Sequence, residues 1–331
     1  MNNPSEVLAE TIEKTILANF LDYVKIFTPV QSNFLFDLNQ RYRCLDSGNI
    51  VLCFAQKTHR AILRKKDYDL NYDLSFDKFW QNHETSKVEK TTILDIAKIT
   101  NLPKETTRRK LLELTKQKVF IKKNRFISWL PNEEYKKDYN KTVMIEIKKI
   151  AKLTKYVTDK VNLNFSDEEI LNEYRNKFSF YWFHYLNLQI KWMGIWKKQL
   201  GDLEIVLILM QIASLLSSRV SEEVSHEKLF SEPTIINKPN LQNLNVSVSA
   251  TSLSDITGIS RATCIRKLNQ MVANNLITQD KTSRRFYIIP EALNKALISK
   301  DLTEKVTSLF SEFYLIVIKA IALKLNTNKN K

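Results

Sequence analysis

The residues best placed to do chemistry in this chain are arginines and lysines at helical spacing. Lys104, Arg108 and Arg109 follow Pro103, and Arg261 and Arg266 follow Ser260, each in a stretch whose apolar residues recur every three to four positions. On a helix these cations share one face. Thr107, Leu111 and Leu114 take the opposite face in the first stretch, and Cys264, Leu268 and Met271 take it in the second. A guanidinium can donate two parallel hydrogen bonds to the O6 and N7 of a guanine, or to a phosphate. The chemistry on offer is therefore recognition of a polyanion. Glu105, Thr106, Ala262, Thr263 and Lys267 lie on the same stretches and complete the candidate surface. Downstream, Lys122, Lys123 and Arg125, and again Lys281, Arg284 and Arg285, sit in short β-like pairs. Cations in such places grip phosphates and position a protein without reading bases.

Covalent chemistry has no comparable basis. Four glycines (Gly48, Gly194, Gly201 and Gly258) are too few and too scattered for a phosphate-cradling loop of either common kind. His59, His83, His184 and His226 lie far apart, with no cysteine or acid at ligand spacing, and read as ordinary core or surface histidines. No Ser/His/Asp or Cys/His arrangement stands out. The expectation is a protein without catalytic residues, metal or cofactor, and not an enzyme. Cys44, Cys53 and Cys264 form no CxxC pair, which fits a reducing compartment. The polar, acidic opening MNNPSEVLAETIEK is unlike a signal peptide, and the longest apolar run, Leu203 to Leu216, is 14 residues with Glu204 and Gln211 inside it. These features predict a soluble, cytoplasmic, nucleoid-associated protein with no membrane partner.

The elements that must position the cations occur twice. Leu94 to Leu111 reads LDIAKITNLPKETTRRKL, and 157 residues later Thr251 to Leu268 reads TSLSDITGISRATCIRKL. Ile96, Ile99, Leu102, Leu111 and Leu114 match Leu253, Ile256, Ile259, Leu268 and Met271 at that offset, and Arg109-Lys110-Leu111 coincides with Arg266-Lys267-Leu268. Downstream the offset grows by two, because Pro131 pairs with Pro290. Upstream it shrinks by two: Ile50-Val51-Leu52 matches Ile205-Val206-Leu207, and Gln56 matches Gln211. Small indels in loops are what a duplication leaves behind. The charge follows the repeat. Of the net +15, residues 98–125 carry ten Lys/Arg against two acids, and residues 255–285 carry six against two. A merely solubilising surface would spread its lysines, whereas this concentration is the footprint expected for a polyanionic partner.

Each copy resembles the winged helix-turn-helix of bacterial regulators such as the Crp/Fnr, MarR and IclR groups, over about 40 residues. In the Crp-like pattern an Arg, a Glu and a second Arg four residues after the Glu read bases. Lys104, Glu105 and Arg109 fall on those positions in the first copy, and Arg261, Ala262 and Arg266 in the second. The resemblance implies double-stranded DNA as partner, and the Ala262 departure implies that the two copies prefer different bases. The glycine-rich β-roll of the Crp group has no counterpart here, so the likeness is to the module.

The predicted architecture is mainly α, with two similar helical domains that have their own cores. Residues 1–150 would hold a first winged helix-turn-helix (92–131), and residues 151–331 a second (246–290). Helices are expected at 8–45 with a break at Thr28-Pro29, at 50–63, at 167–200, at 202–218 and at 304–325, with a fraying NTNKNK tail. Asp67–Lys90 reads as an irregular cover, Asn132–Asn164 as a solvated linking helix, Glu222–Leu244 as a loop, and Val246–Val248 as a short strand. The aromatic stripe Phe178, Tyr181, Trp182, Tyr185, Leu188, Trp192 and Trp196 reads as core or as a subunit interface. The function expected is sequence-specific duplex binding for transcriptional control, by a homodimer or by one chain acting as a pseudo-dimer. The alternatives are a plasmid- or phage-type replication initiator with tandem winged helices and, from another class, a structural or complex-forming protein that uses such modules for protein docking.

Overall fold

The computed structural model describes residues 4, 6–123, 126–220, 247–288 and 300–329. Among them the chain is mainly helical. The first half runs α1 (Ala9–Ala18), α2 (Phe20–Tyr42), α3 (Leu45–Tyr68), α4 (Phe79–Thr85), α5 (Ile93–Thr100), α6 (Lys104–Lys116), a hairpin of β1 (Phe120–Lys123) and β2 (Phe126–Trp129), then α7 (Glu133–Lys160). The second half runs α8 (Asp167–Asn176), α9 (Phe178–Leu200), α10 (Leu203–Val220), β3 (Ser247–Val248), α11 (Ala250–Thr257), α12 (Arg261–Ala273), β4 (Ile277–Gln279), β5 (Phe286–Ile288) and α13 (Lys300–Lys329).

Apart from α4, the helices of the two halves correspond in order among the described residues, which extends the repeat well beyond the two motifs. α1 and α8 are both 10 residues long, and α2 and α9 are both 23. Each long helix ends on a left-handed residue, Arg43 (φ 61°) or Gly201 (φ 76°), and the next helix begins two residues later. This sets the upstream offset at 158, so Ile50 corresponds to Ile208 and the Ile50/Ile205 alignment is displaced by three residues. Three residues is nearly one helical turn, and a helix whose apolar residues recur every three or four positions looks almost the same after such a slip.

The halves do not keep separate cores. α2 packs on α10, α3 on α9, and α7 meets α13. One continuous apolar cluster joins Ile16, Leu35, Ile50 and Phe54 of the first half to Tyr185, Trp192, Leu207 and Ile212 of the second. Between them the side-chain amides of Gln31 and Gln189, both buried, donate to each other's carbonyls at 2.7 and 3.0 Å. Burying two amides is tolerable because each satisfies the other. The boundary expected near residue 150 falls inside α7, and the change from first half to second lies at residues 161–166.

Other expectations change with the packing. α2 runs unbroken through Pro29, and the break comes earlier, at Asn19. The 167–200 segment breaks at Lys177, between α8 and α9. α7 is no solvated linker, because Val143, Ile147, Ile150, Leu153 and Val157 are buried together with Glu146, while Ile145 is exposed. Within 67–90, helix α4 buries Phe79 and His83, and Phe79 stacks on His59 with ring centroids 4.6 Å apart. So short a helix is held by its aromatic anchors, and no periodicity could announce it. The aromatic stripe of α9 is core, with Trp196 only half-buried. α13 carries the helix through Lys329, into the expected tail. Its segment Asp301–Leu323 is long and apolar enough to cross a membrane, and the helix packs against α1, α7 and α9. The loop expected at 222–244, together with Val246, Arg125 and His226, lies outside the described residues.

Candidate nucleic-acid interface

The two cationic helices sit in frames that coincide at the 157-residue offset. α5 and α11 are each eight residues long, and α6 and α12 each thirteen, beginning and ending at matched positions. α5 opens on Thr92, whose hydroxyl accepts from the Asp95 N–H while Asp95 accepts from the Thr92 N–H. α11 opens on Ser249, whose hydroxyl accepts from the Ser252 N–H at 3.0 Å. The turn into each cationic helix passes through a left-handed residue, Asn101 (φ 52°) or Gly258 (φ 66°), both types that tolerate that conformation. At Gly258 a Cβ would also meet the side chain of Gln40, which reaches over from α2. Pro103 then leads into α6, and the Ser260 hydroxyl caps α12 by accepting from the Thr263 N–H at 3.3 Å. Lys118 (φ 59°) and Asn275 (φ 54°) repeat the correspondence at the exit.

Behind each helix pair the strands match as well. Thr91 bridges Ile127 in the first half, and Val248 pairs with Phe286 in the second. Those registers agree with the two-residue growth in offset anticipated from Pro131 and Pro290.

The burial of the cationic helices follows their spacing. Thr107, Leu111 and Leu114, and Cys264, Leu268 and Met271, are all buried. Of the expected site residues, Lys104, Glu105, Arg108, Arg109, Lys122, Arg261, Ala262, Arg266, Lys281, Arg284 and Arg285 are exposed, while Thr106 and Thr263 are half-buried. β1 places Lys123 on its backbone, and Arg125 lies outside the described residues. The first helix carries an ion pair on its open face: the Arg108 Nε donates to both carboxylate oxygens of Glu105 at 3.0 and 2.9 Å, which holds that carboxyl below its ordinary range. The matched positions in α12 are Ala262 and Ile265, so both partners of that pair are replaced together.

Lys267 does not belong to the exposed face. It is 4% exposed, and its ammonium pairs with the carboxylates of Asp202 and Glu204 at the start of α10, the second at 3.3 Å. The position points inward because it stands three residues after Cys264 and four before Met271, on the buried stripe of the helix, and the carboxylates satisfy its charge. Its counterpart Lys110 is half-buried and donates to the Cys44 Sγ at 2.9 Å, at the start of α3. Cys44 and Asp202 are themselves matched positions, so the same anchor is built with a thiol in one half and a carboxylate in the other.

Several contributors escape sequence reasoning because they act on the cations from other elements. Thr251 accepts from the Arg261 Nε at 3.1 Å and Ser247 from the Arg285 Nε at 2.8 Å, steering both guanidiniums. The β4–β5 turn is ordered by Asp280, whose carboxylate accepts from the N–H of Thr282 and the hydroxyl of Ser283, and is thereby held below the usual carboxylate range. This turn presents Lys281, Arg284 and Arg285 to solvent. Ile99 and Ile256, matched residues on α5 and α11, are 45% and 44% exposed. Comparison with family models, curated proteins and solved structures finds no match to this chain.

Proposed function

We propose that this protein binds double-stranded DNA with sequence selectivity, as a regulator of transcription, and that α6 and α12 are its two recognition helices, each part of a winged helix-turn-helix. The observation that carries this reading is the twofold recurrence of one arrangement. A capped short helix, a left-handed turn and a thirteen-residue helix buried on one side leave two exposed cationic faces, each followed by a strand pair with cations on a strand or on its turn. A helix fits the major groove, and cations near its N-terminal end reach base edges. Lys122, Lys281, Arg284 and Arg285 serve as phosphate grips on the flanks. Lys267 takes no part, since its charge is spent inside the fold.

The test is selection of bound sequences from a random duplex pool by the full chain, followed by measurement of affinity against salt. Recovery of a defined sequence supports the reading, and the log–log slope should be on the order of −5 to −8, at about −0.9 per phosphate contacted. A slope near zero, or a pool without sequence preference, would sink it.

A further inference from the structure

We infer that one copy of this chain reads a single duplex through two half-sites in inverted orientation and of different sequence. The inference rests on the duplex-binding reading above and follows from how the halves touch. Two like units related by translation meet through different surfaces, and the reciprocal contact is missing. Units related by a two-fold axis make every contact twice with roles exchanged, and elements at the axis meet their own counterparts. In this molecule α2 packs on α10 while α3 packs on α9, two contacts that exchange under the element correspondence. α3 meets α10 and α7 meets α13, each a meeting of counterparts. At residue level Gln31 and Gln189 are matched at the 158 offset and hydrogen-bond to each other in both directions. The halves are therefore related by an approximate two-fold axis that passes beside this glutamine pair.

The two helix-turn-helix units are attached at the same end of that axis. The first is tied by Lys110 to Cys44 in the α2–α3 corner, and the second by Lys267 to Asp202 and Glu204 in the α9–α10 corner. The corners are tied to each other: the Lys197 ammonium pairs with Asp46 at 2.6 Å. The Asn39 amide of the first corner also donates to the Thr257 carbonyl, which lies inside the second unit. Two readers held side by side about a two-fold axis match the dyad of a duplex, so their half-sites run in opposite directions with centres about 34 Å apart or an integer multiple. Their faces differ, because Glu105 and Arg108 stand where Ala262 and Ile265 stand in the other. The whole site is an inverted repeat that is imperfect in sequence.

The experiment rebuilds the site recovered from the random pool in two forms, as found and with one half reversed to make a direct repeat at the same spacing. The full chain is measured on each, with stoichiometry by analytical ultracentrifugation. One chain per duplex is expected, with affinity for the direct repeat at least tenfold weaker. Arg109→Ala should lose discrimination in one half-site only, and Arg266→Ala in the other only. Equal binding to both forms, loss in the same half for both variants, or two chains per site each protecting one half would overturn the inverted single-chain arrangement while leaving DNA binding intact. Failure of the pool to yield any sequence would overturn both, and that failure shows itself before any arrangement is compared.

Discussion

Arg266 and Lys267 are neighbours in sequence with opposite surroundings, and their substitutions should separate recognition from stability. Arg266 is exposed on α12, with no hydrogen-bond or ion-pair partner among the described residues. Arg266→Ala should leave the melting temperature in place, weaken binding to the selected site by about 1–3 kcal/mol and relax preference at one base pair. Lys267→Ala should do the reverse. It strands the Asp202 and Glu204 carboxylates, and because these remain 28% and 24% exposed the cost should be about 2 kcal/mol, below that of a fully buried pair. Calorimetric melting beside binding isotherms for both variants checks this, and a melting temperature unchanged in Lys267→Ala would place its ammonium outside the fold. Charge does not distinguish these residues, but the helical period does: Lys267 stands three residues after Cys264 and four before Met271, on the buried stripe, and Arg266 does not. Asp202, which satisfies its charge there, lies 65 residues away in the chain. Exposed face and inward position were both legible from spacing, and Lys267 was missed because a cation reads as exposed until the fold supplies the carboxylates that satisfy it.

Among the elements, α7 departs furthest from its sequence pattern. Its many lysines suggest a solvated helix, yet the face carrying Val143, Ile147 and Ile150 also buries Glu146, whose carboxylate accepts from the Tyr185 hydroxyl at 2.7 Å. Burial pushes this carboxyl up to about 7, against the pull of Tyr185 and of Lys149. A raised value means that the folded chain holds a proton the unfolded chain releases above its ordinary carboxylate pKa. The stabilisation is full below that value and is lost as pH rises through about 7. Denaturant melts of the parent and of Glu146→Gln at pH 5 and pH 8 should therefore diverge. The variant gains on the parent by about 2–3 kcal/mol at the higher pH, because the amide carries no charge to desolvate. A constant difference between the two proteins across that range would show that Glu146 is ionised throughout. The helices themselves were readable from apolar period, and the matched ends of α5, α6, α11 and α12 meet at the left-handed residues Asn101 and Gly258. What sequence alone could not supply was register along the long helices, where a slip of one turn preserves the pattern, or existence for α4, whose order comes from the rings of His59 and Phe178.

At the scale of the whole molecule, the reciprocal amide pair is the natural place to probe the two-fold arrangement. Gln31→Leu alone leaves the Gln189 amide buried without its partner and should cost about 1–3 kcal/mol. Gln31→Leu with Gln189→Leu removes both polar groups and should recover at least half of that. Costs that simply add, read from urea unfolding of the two single variants and the double, would mean the amides do not depend on each other. Sequence reasoning expected two domains side by side, because a repeat announces how many copies there are but not whose helices fill whose core. Here α2 and α3 bury their apolar faces on α10 and α9, so neither half could close its core alone. An assembly of two identical chains accepts every substitution in both partners at once, and its concentration decides whether it exists at all. A single chain that contains both partners escapes both conditions. Gly201 can replace Arg43, Asp202 can replace Cys44 and Ala262 can replace Glu105 on one side only, so each half is free to change while the other keeps its residue.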